Sequence, residues 1–312
     1  MAEHSGMSSG LRTEGRGGVY GPALDRQVQH SWRWTRVLLT GFALFLVATT
    51  CMFLFRNPKV YPAVILLGNF LVPVVFVAFL YDHQHIHHVP FELIFKCFCL
   101  GGLLGVLGAG IIEGAVMDLL RLRLSNGILL GFAMLVGLIE EGCKLLAVTL
   151  VAARLRPKTL MDGLLLGAAA GMGFAALESC GYAFSALFTF DGRNGAVTLA
   201  NLLTFRHAGL SLFETILRGF LAPLGHGTWT ALAAGALFHE SRDGRYRLTG
   251  LAIPGYLGAS LLHGLWDGLP SVINLPFSLF AGVLIDIPIG LVGLVALILL
   301  FRRGLRFPAS TV

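Results

Sequence analysis

Eight long apolar runs organise this chain, near residues 35–55, 60–81, 91–112, 128–152, 160–188, 212–238, 249–269 and 277–301. A helix needs about 20 apolar residues to cross roughly 30 Å of hydrocarbon. Lipid offers no partner for backbone N–H and C=O groups, so such runs fold as helices that satisfy those groups internally. The expectation is an all-α, polytopic membrane helical bundle with about eight transmembrane helices.

Composition agrees with that reading. Of 312 residues, 55% are hydrophobic and 13% charged, with a mean hydropathy of +0.77; a soluble domain carries about 25% charged residues. The formal net charge of +6 does not imply nucleic acid, because the basic residues lie in short clusters between apolar runs. That is the pattern of the positive-inside rule, and the partner it implies is a lipid bilayer. Cys51, Cys97, Cys99, Cys143 and Cys180 all sit in or beside apolar runs, where cysteine serves as a small buried residue.

Loop charge sets the expected orientation in a cell membrane. Arg12, Arg16, Arg26, Arg33, Arg36, Arg154, Arg156, Lys158, Arg242, Arg245, Arg247, Arg302, Arg303 and Arg306 fall on one side. Arg56, Lys59, Arg121, Arg123, Arg193, Arg206 and Arg218 fall on the other. Fourteen against seven puts both termini in the cytoplasm. Four divisions are expected: a disordered cytoplasmic tail (1–34), N-terminal transmembrane helices (35–127), a transmembrane core (128–270), and a last helix with a cytoplasmic tail (271–312). The stretch from Glu113 to Leu124 reads as a short interfacial helix. His83, His85, His87 and His88 read as a solvated loop, with transition-metal capture as the alternative.

Small residues predict where helices touch. Gly101 and Gly105 form one step, and Gly163, Gly167 and Gly171 a longer ladder; glycines four apart let helices approach closely in lipid. Glu178, seven residues after Gly171, shares that face and should look into the bundle.

Four successive runs carry groups that lipid does not tolerate. The fourth holds Glu140, Glu141 and Lys144; the fifth Glu178; the sixth His226; the seventh His263 and Asp267. A buried charge costs about 2.5–3.5 kcal/mol on insertion scales, so these groups must pair, bind an ion or line a wet cavity. Glu140 and Glu141 stand four and three residues before Lys144, within reach of it on a helix. His263 and Asp267 are also four apart, which lets a carboxylate orient an imidazole. A carboxylate pair beside a cation is equipment for activating water where bulk water is scarce. Each feature also has a plainer reading: a self-neutralising Glu–Lys pair, an interhelical histidine hydrogen bond, an aspartate at a helix end.

Taken together and in order, EExxK (Glu140, Glu141, Lys144), FxxxE (Phe174, Glu178), HxxxxxxxxG (His226, Gly235) and HxxxD (His263, Asp267) resemble the PrsW family of intramembrane proteases. That family is distantly similar to the CAAX-processing endopeptidases. The resemblance covers roughly residues 128–270. One departure is Ser179, where the family usually has Asn after the glutamate of FxxxE. The resemblance implies a protease acting on a membrane-anchored regulator such as an anti-sigma factor. Glu140 would be the general base, with Glu141 and Lys144 setting its charge state and Glu178 helping to hold the water. His263 and Asp267 would stabilise the tetrahedral intermediate or orient a ligand, and His226 would complete the cluster. Both a metal-free glutamate mechanism, which is preferred, and a zinc site built from Glu178, His226 and His263 are open.

Two rival functions remain. Buried Glu, Lys and His also make proton relays, as in a proton- or ion-coupled transporter. A non-catalytic membrane scaffold is the other.

Overall fold

The structure is a computed structural model and describes residues 33–83, 89–120, 126–187, 208–273 and 278–306. These residues all belong to one unit, Trp32–Val312. In chain order the helices are α1 (Arg33–Leu54), α2 (Tyr61–His83), α3 (Phe91–Leu120), α4 (Asn126–Val151), α5 (Leu160–Leu187), α6 (Ala208–Leu221), α7 (His226–His239), α8 (Ala252–Val272) and α9 (Ser278–Arg306). Single-turn 3-10 helices occupy Pro58–Val60 and Ala222–Leu224. The expected all-α architecture holds, with no strand among the described residues.

The eight-span count does not carry over as it stands. Among the described residues five helices are long and apolar enough to cross a membrane: Arg33–Leu54, Pro58–His83, Phe91–Leu119, Leu160–Leu187 and Gly282–Arg303. α4 and α8 have the length, at 26 and 21 residues, but carry the charged groups. The sixth run is not one helix: α6 and α7 have 14 residues each, about 21 Å apiece at 1.5 Å per residue. Pro223 lies in the 3-10 turn between them; it has no N–H to donate and its ring crowds the carbonyl four residues back. Gly225, at φ −101° and ψ −119°, then redirects the chain into α7. Residues 113–120 continue α3 instead of starting an interfacial helix, and 121–125 lie outside the described residues.

α5 is the axis of the molecule. Almost nine-tenths of its apolar window is buried, and it packs against α2, α3, α6 and α7. The glycine ladder explains the closeness on one side. A Cβ on Gly163 would come within 2.5 Å of the Ala234 carbonyl, and one on Gly167 within 2.5 Å of the Thr230 carbonyl. A Cβ on Gly171 would collide with the carbonyl of His226. The register rises on α5 as it falls on α7, so the two helices are antiparallel. Gly101 meets Ala170 and Gly105 meets Phe174, which seats α3 on α5. α4 runs antiparallel to α8 in the same way, Gly137 against Ser260 and Gly268 against Leu130.

Two loops that the charge count assigns to one side meet at one end of the bundle. Lys158 Nζ donates to the carbonyls of Leu155 and Gly244, both at 2.8 Å. Burial and the nearby Arg156 charge lower the Lys158 pKa. Large apolar side chains such as Leu39, Phe42 and Val47 on α1 and Val292 and Leu299 on α9 are exposed, as lipid-facing residues are.

Candidate functional site

α4 presents Glu140, Glu141 and Lys144 to the interior. Lys144 is wholly buried, and its ammonium donates to Glu140 Oε2 at 3.1 Å and to Glu141 Oε1 at 2.8 Å. It also donates to His226 Nδ1 at 2.9 Å and lies 3.8 Å from the centroid of the Phe174 ring. One cation thus ties α4 to α5 and to the first residue of α7.

The two glutamates differ in what they have left to offer. Glu141 is fully buried. Its Oε1 accepts from Lys144 and from His263 Nδ1 at 3.0 Å, and its Oε2 accepts from Thr230 Oγ1 at 2.8 Å. Glu140 keeps 7% of its surface exposed and stands 3.4 Å from His263 Nε2. Asp267, on the exposed turn of α8, approaches the same nitrogen at 3.3 Å. Yet His263 Nε2 is buried without a hydrogen-bond partner.

Glu178 faces inward, as its place on the glycine face predicts. Its Oε2 accepts from Arg218 Nη2 at 2.7 Å and from His226 Nε2 at 3.1 Å. Arg218, which the charge count places in a loop on the far side, is in fact a residue of α6 bound inside the bundle. Its Nε donates to Ser179 Oγ at 3.2 Å, so Ser179 supplies a polar contact where the family usually has Asn. Aromatic rings wall the cluster: Trp229 stacks on His263 at 5.0 Å, and His226 meets His263 edge-on at 4.8 Å.

The seven residues singled out in the sequence therefore form one connected network. Arg218 and Thr230 belong to it as well. Neither carries a strong sequence signal, since Thr is ordinary in a membrane helix, though an Arg inside an apolar run is itself a flag. His83, at the end of α2, has its Nδ1 2.8 Å from the Phe79 carbonyl; His85, His87 and His88 lie outside the described residues.

A group whose geometry could hold a metal ion has Glu140, rather than Glu178, beside His226 and His263. One ligand atom each from Glu140, His226 and His263 lie within 4.8 Å of one another. Glu178 instead holds the outer nitrogen of His226. Lys144 donates to His226 Nδ1, which makes Nε2 the proton-bearing atom facing Glu178. His263 correspondingly gives its Nδ1 proton to Glu141, leaving Nε2 turned inward. Each imidazole has one nitrogen held by a carboxylate and the other directed at Glu140 or Lys144, the support that metal-bound histidines use. The donor chemistry fits a divalent ion such as zinc, provided the Lys144 ammonium yields His226 Nδ1. The charges fit too, because among the described residues Glu140, Glu141 and Glu178 pair with two fixed cations, Lys144 and Arg218.

Comparison with known proteins agrees with the geometry. A family model described as PrsW family intramembrane metalloprotease matches residues 89–300, from the start of α3 to within α9. No curated protein and no solved structure matches the chain. The match takes in every residue of the network and about two-thirds of the sequence, so the chain belongs to the PrsW family of intramembrane proteases.

Proposed function

We propose that this protease cuts a peptide bond, in or next to the membrane, of a membrane-anchored regulatory protein of the anti-sigma-factor kind, with Glu140 taking the proton of the attacking water. The observation that carries this reading is the unequal state of the paired glutamates. Glu141 spends both oxygens on Lys144, His263 and Thr230. Glu140 is the more accessible carboxylate and lies beside the unpartnered His263 Nε2. A general base has to contact its water at about 2.6–3.2 Å, and of the two glutamates it is Glu140 that keeps some surface for one.

The other residues then act through position. Lys144 balances the charge of Glu140 and Glu141 where the dielectric is low. Glu141 fixes the tautomer and plane of His263. With Nδ1 already donating to Glu141, a second proton on His263 Nε2, between Glu140 and Asp267, makes the ring an imidazolium that stabilises the oxyanion as the carbonyl carbon becomes tetrahedral. Arg218 and Glu178 lock the ring of His226.

A second reading rests on the ligand set. Glu140, His226 and His263 would hold a divalent ion. Such an ion, when bound, polarises the scissile carbonyl and acidifies its water. Glu140 is essential in both versions, as base in one and as ligand in the other.

The test is reconstitution in vesicles with a tagged single-span regulator. A discrete fragment from the intact protein supports proteolysis. Ion or proton flux without any fragment supports a transporter, and neither activity supports a scaffold.

A further inference from the structure

A cavity of about 170 Å³ adjoins the network, bounded by α5, α6, α8, α9 and the break before α7. His226 lines it, and so do Ser179 and Arg218, so it adjoins the side of the network where Glu178 and Arg218 hold His226. Much of its wall is apolar: Leu217, Leu221, Val283 and Trp266. Its charged groups are Arg218, Glu214 and Asp286.

These charges are not equally available. The Arg218 guanidinium is committed to Glu178 and Ser179 and lies 3.9 Å from the centroid of the Tyr182 ring. Asp286 is different. Its Oδ1 is buried and has no hydrogen-bond partner. A carboxylate oxygen enclosed in a membrane protein without a donor is costly, and an arriving cation or N–H group removes that cost. Glu214 on the same wall adds a second negative group, and among the described residues no ion pair offsets it.

An apolar wall ending in a carboxylate with an unpartnered oxygen suits one kind of side chain: an aliphatic stem with a cationic tip. We propose that this cavity is a substrate subsite that takes a lysine or arginine side chain near the bond to be cut, with Asp286 as its partner and the residue that determines specificity. The inference rests on the proteolytic reading of the adjoining network.

The test uses the full-length protein in vesicles with a panel of single-span peptides. One lysine is moved stepwise through the segment, and each peptide has a norleucine match of similar shape without the charge. Products are located by mass spectrometry. The expected result is a cut that moves with the lysine, and a rate about tenfold or more lower for the norleucine series, since losing one partner of a buried charged hydrogen bond is severe. Asp286→Asn should cut both series alike, near the rate of the wild type on norleucine, and Asp286→Glu should keep the lysine preference. Equal rates and positions for lysine and norleucine peptides with the wild type would overturn the subsite while leaving the protease reading intact. That contrast needs no variant, so it stands even if Asp286→Asn fails to fold. No cleavage of any peptide, with Glu140→Gln equally silent, would overturn the protease reading and the subsite with it.

Discussion

Glu141 Oε1 accepts the Nδ1 proton of His263 at 3.0 Å, joining residues 122 positions apart on α4 and α8. The same oxygen accepts from Lys144, and the other oxygen from Thr230. The bond therefore fixes an imidazole and closes the centre of the bundle together.

Glu141→Gln should for this reason harm folding first. Removing one member of a buried charged group costs about 3–5 kcal/mol when its partner is left uncompensated, and here both Lys144 and His263 lose a carboxylate. Thermal unfolding in detergent should show a larger loss for Glu141→Gln than for Glu140→Gln. An equal or smaller loss would contradict the structural role.

Arg218→Met should lower the yield of folded protein, because among the described residues it leaves Glu178 hydrogen-bonded to His226 alone and removes the donor to Ser179. Arg218→Lys should recover part of that loss, since it restores the charge but not the two-point contact. Folded yield by gel filtration reads the difference.

Gly171→Ala should cut activity strongly, because the new methyl collides with the His226 carbonyl and pushes α7 away from α5. Gly181→Ala is the matched control on the same helix, since nothing lies within 4 Å of a Cβ there. Fragment formation should fall for the first and persist for the second.

Much of this fold is legible from hydropathy alone, since an uninterrupted apolar run in lipid has helix as its open-chain solution. The break at 222–225 is not, because apolar residues flank Pro223 on both sides and carry the run through. The ladder Gly163, Gly167 and Gly171 correctly points Glu178 inward, as the Glu178–His226 bond shows. Spacing within one helix cannot tell which carboxylate of another helix reaches a given imidazole, so Glu178 was expected where Glu140 stands in the ligand set. Arg218 escaped for the opposite reason: counting it as a loop charge presumes the far side of the membrane and overlooks an acid 40 residues earlier.

The orientation proposed from loop charge places both termini in the cytoplasm. Reporter fusions at each terminus should both report the cytoplasmic side; a C-terminus on the far side would refute that orientation.

Metal content separates the two versions of the chemistry. With an ion held by Glu140, His226 and His263, purified wild-type protein contains about one zinc or similar ion per chain, chelation abolishes cleavage, and Glu140→Gln lowers the metal content. Full activity after exhaustive chelation, with no metal by elemental analysis, selects the glutamate mechanism instead.

The central claim concerns Glu140 and is tested most directly by the cleavage rate of Glu140→Gln on a tagged membrane regulator, measured beside its thermal stability. The substitution keeps size and much of the hydrogen bonding to Lys144 but removes the site that accepts the proton. A positioned general base contributes about 10²–10⁴-fold, so cleavage should fall at least about a hundredfold while the variant still folds and inserts. A well-folded Glu140→Gln protein that cuts at the wild-type rate would contradict the account.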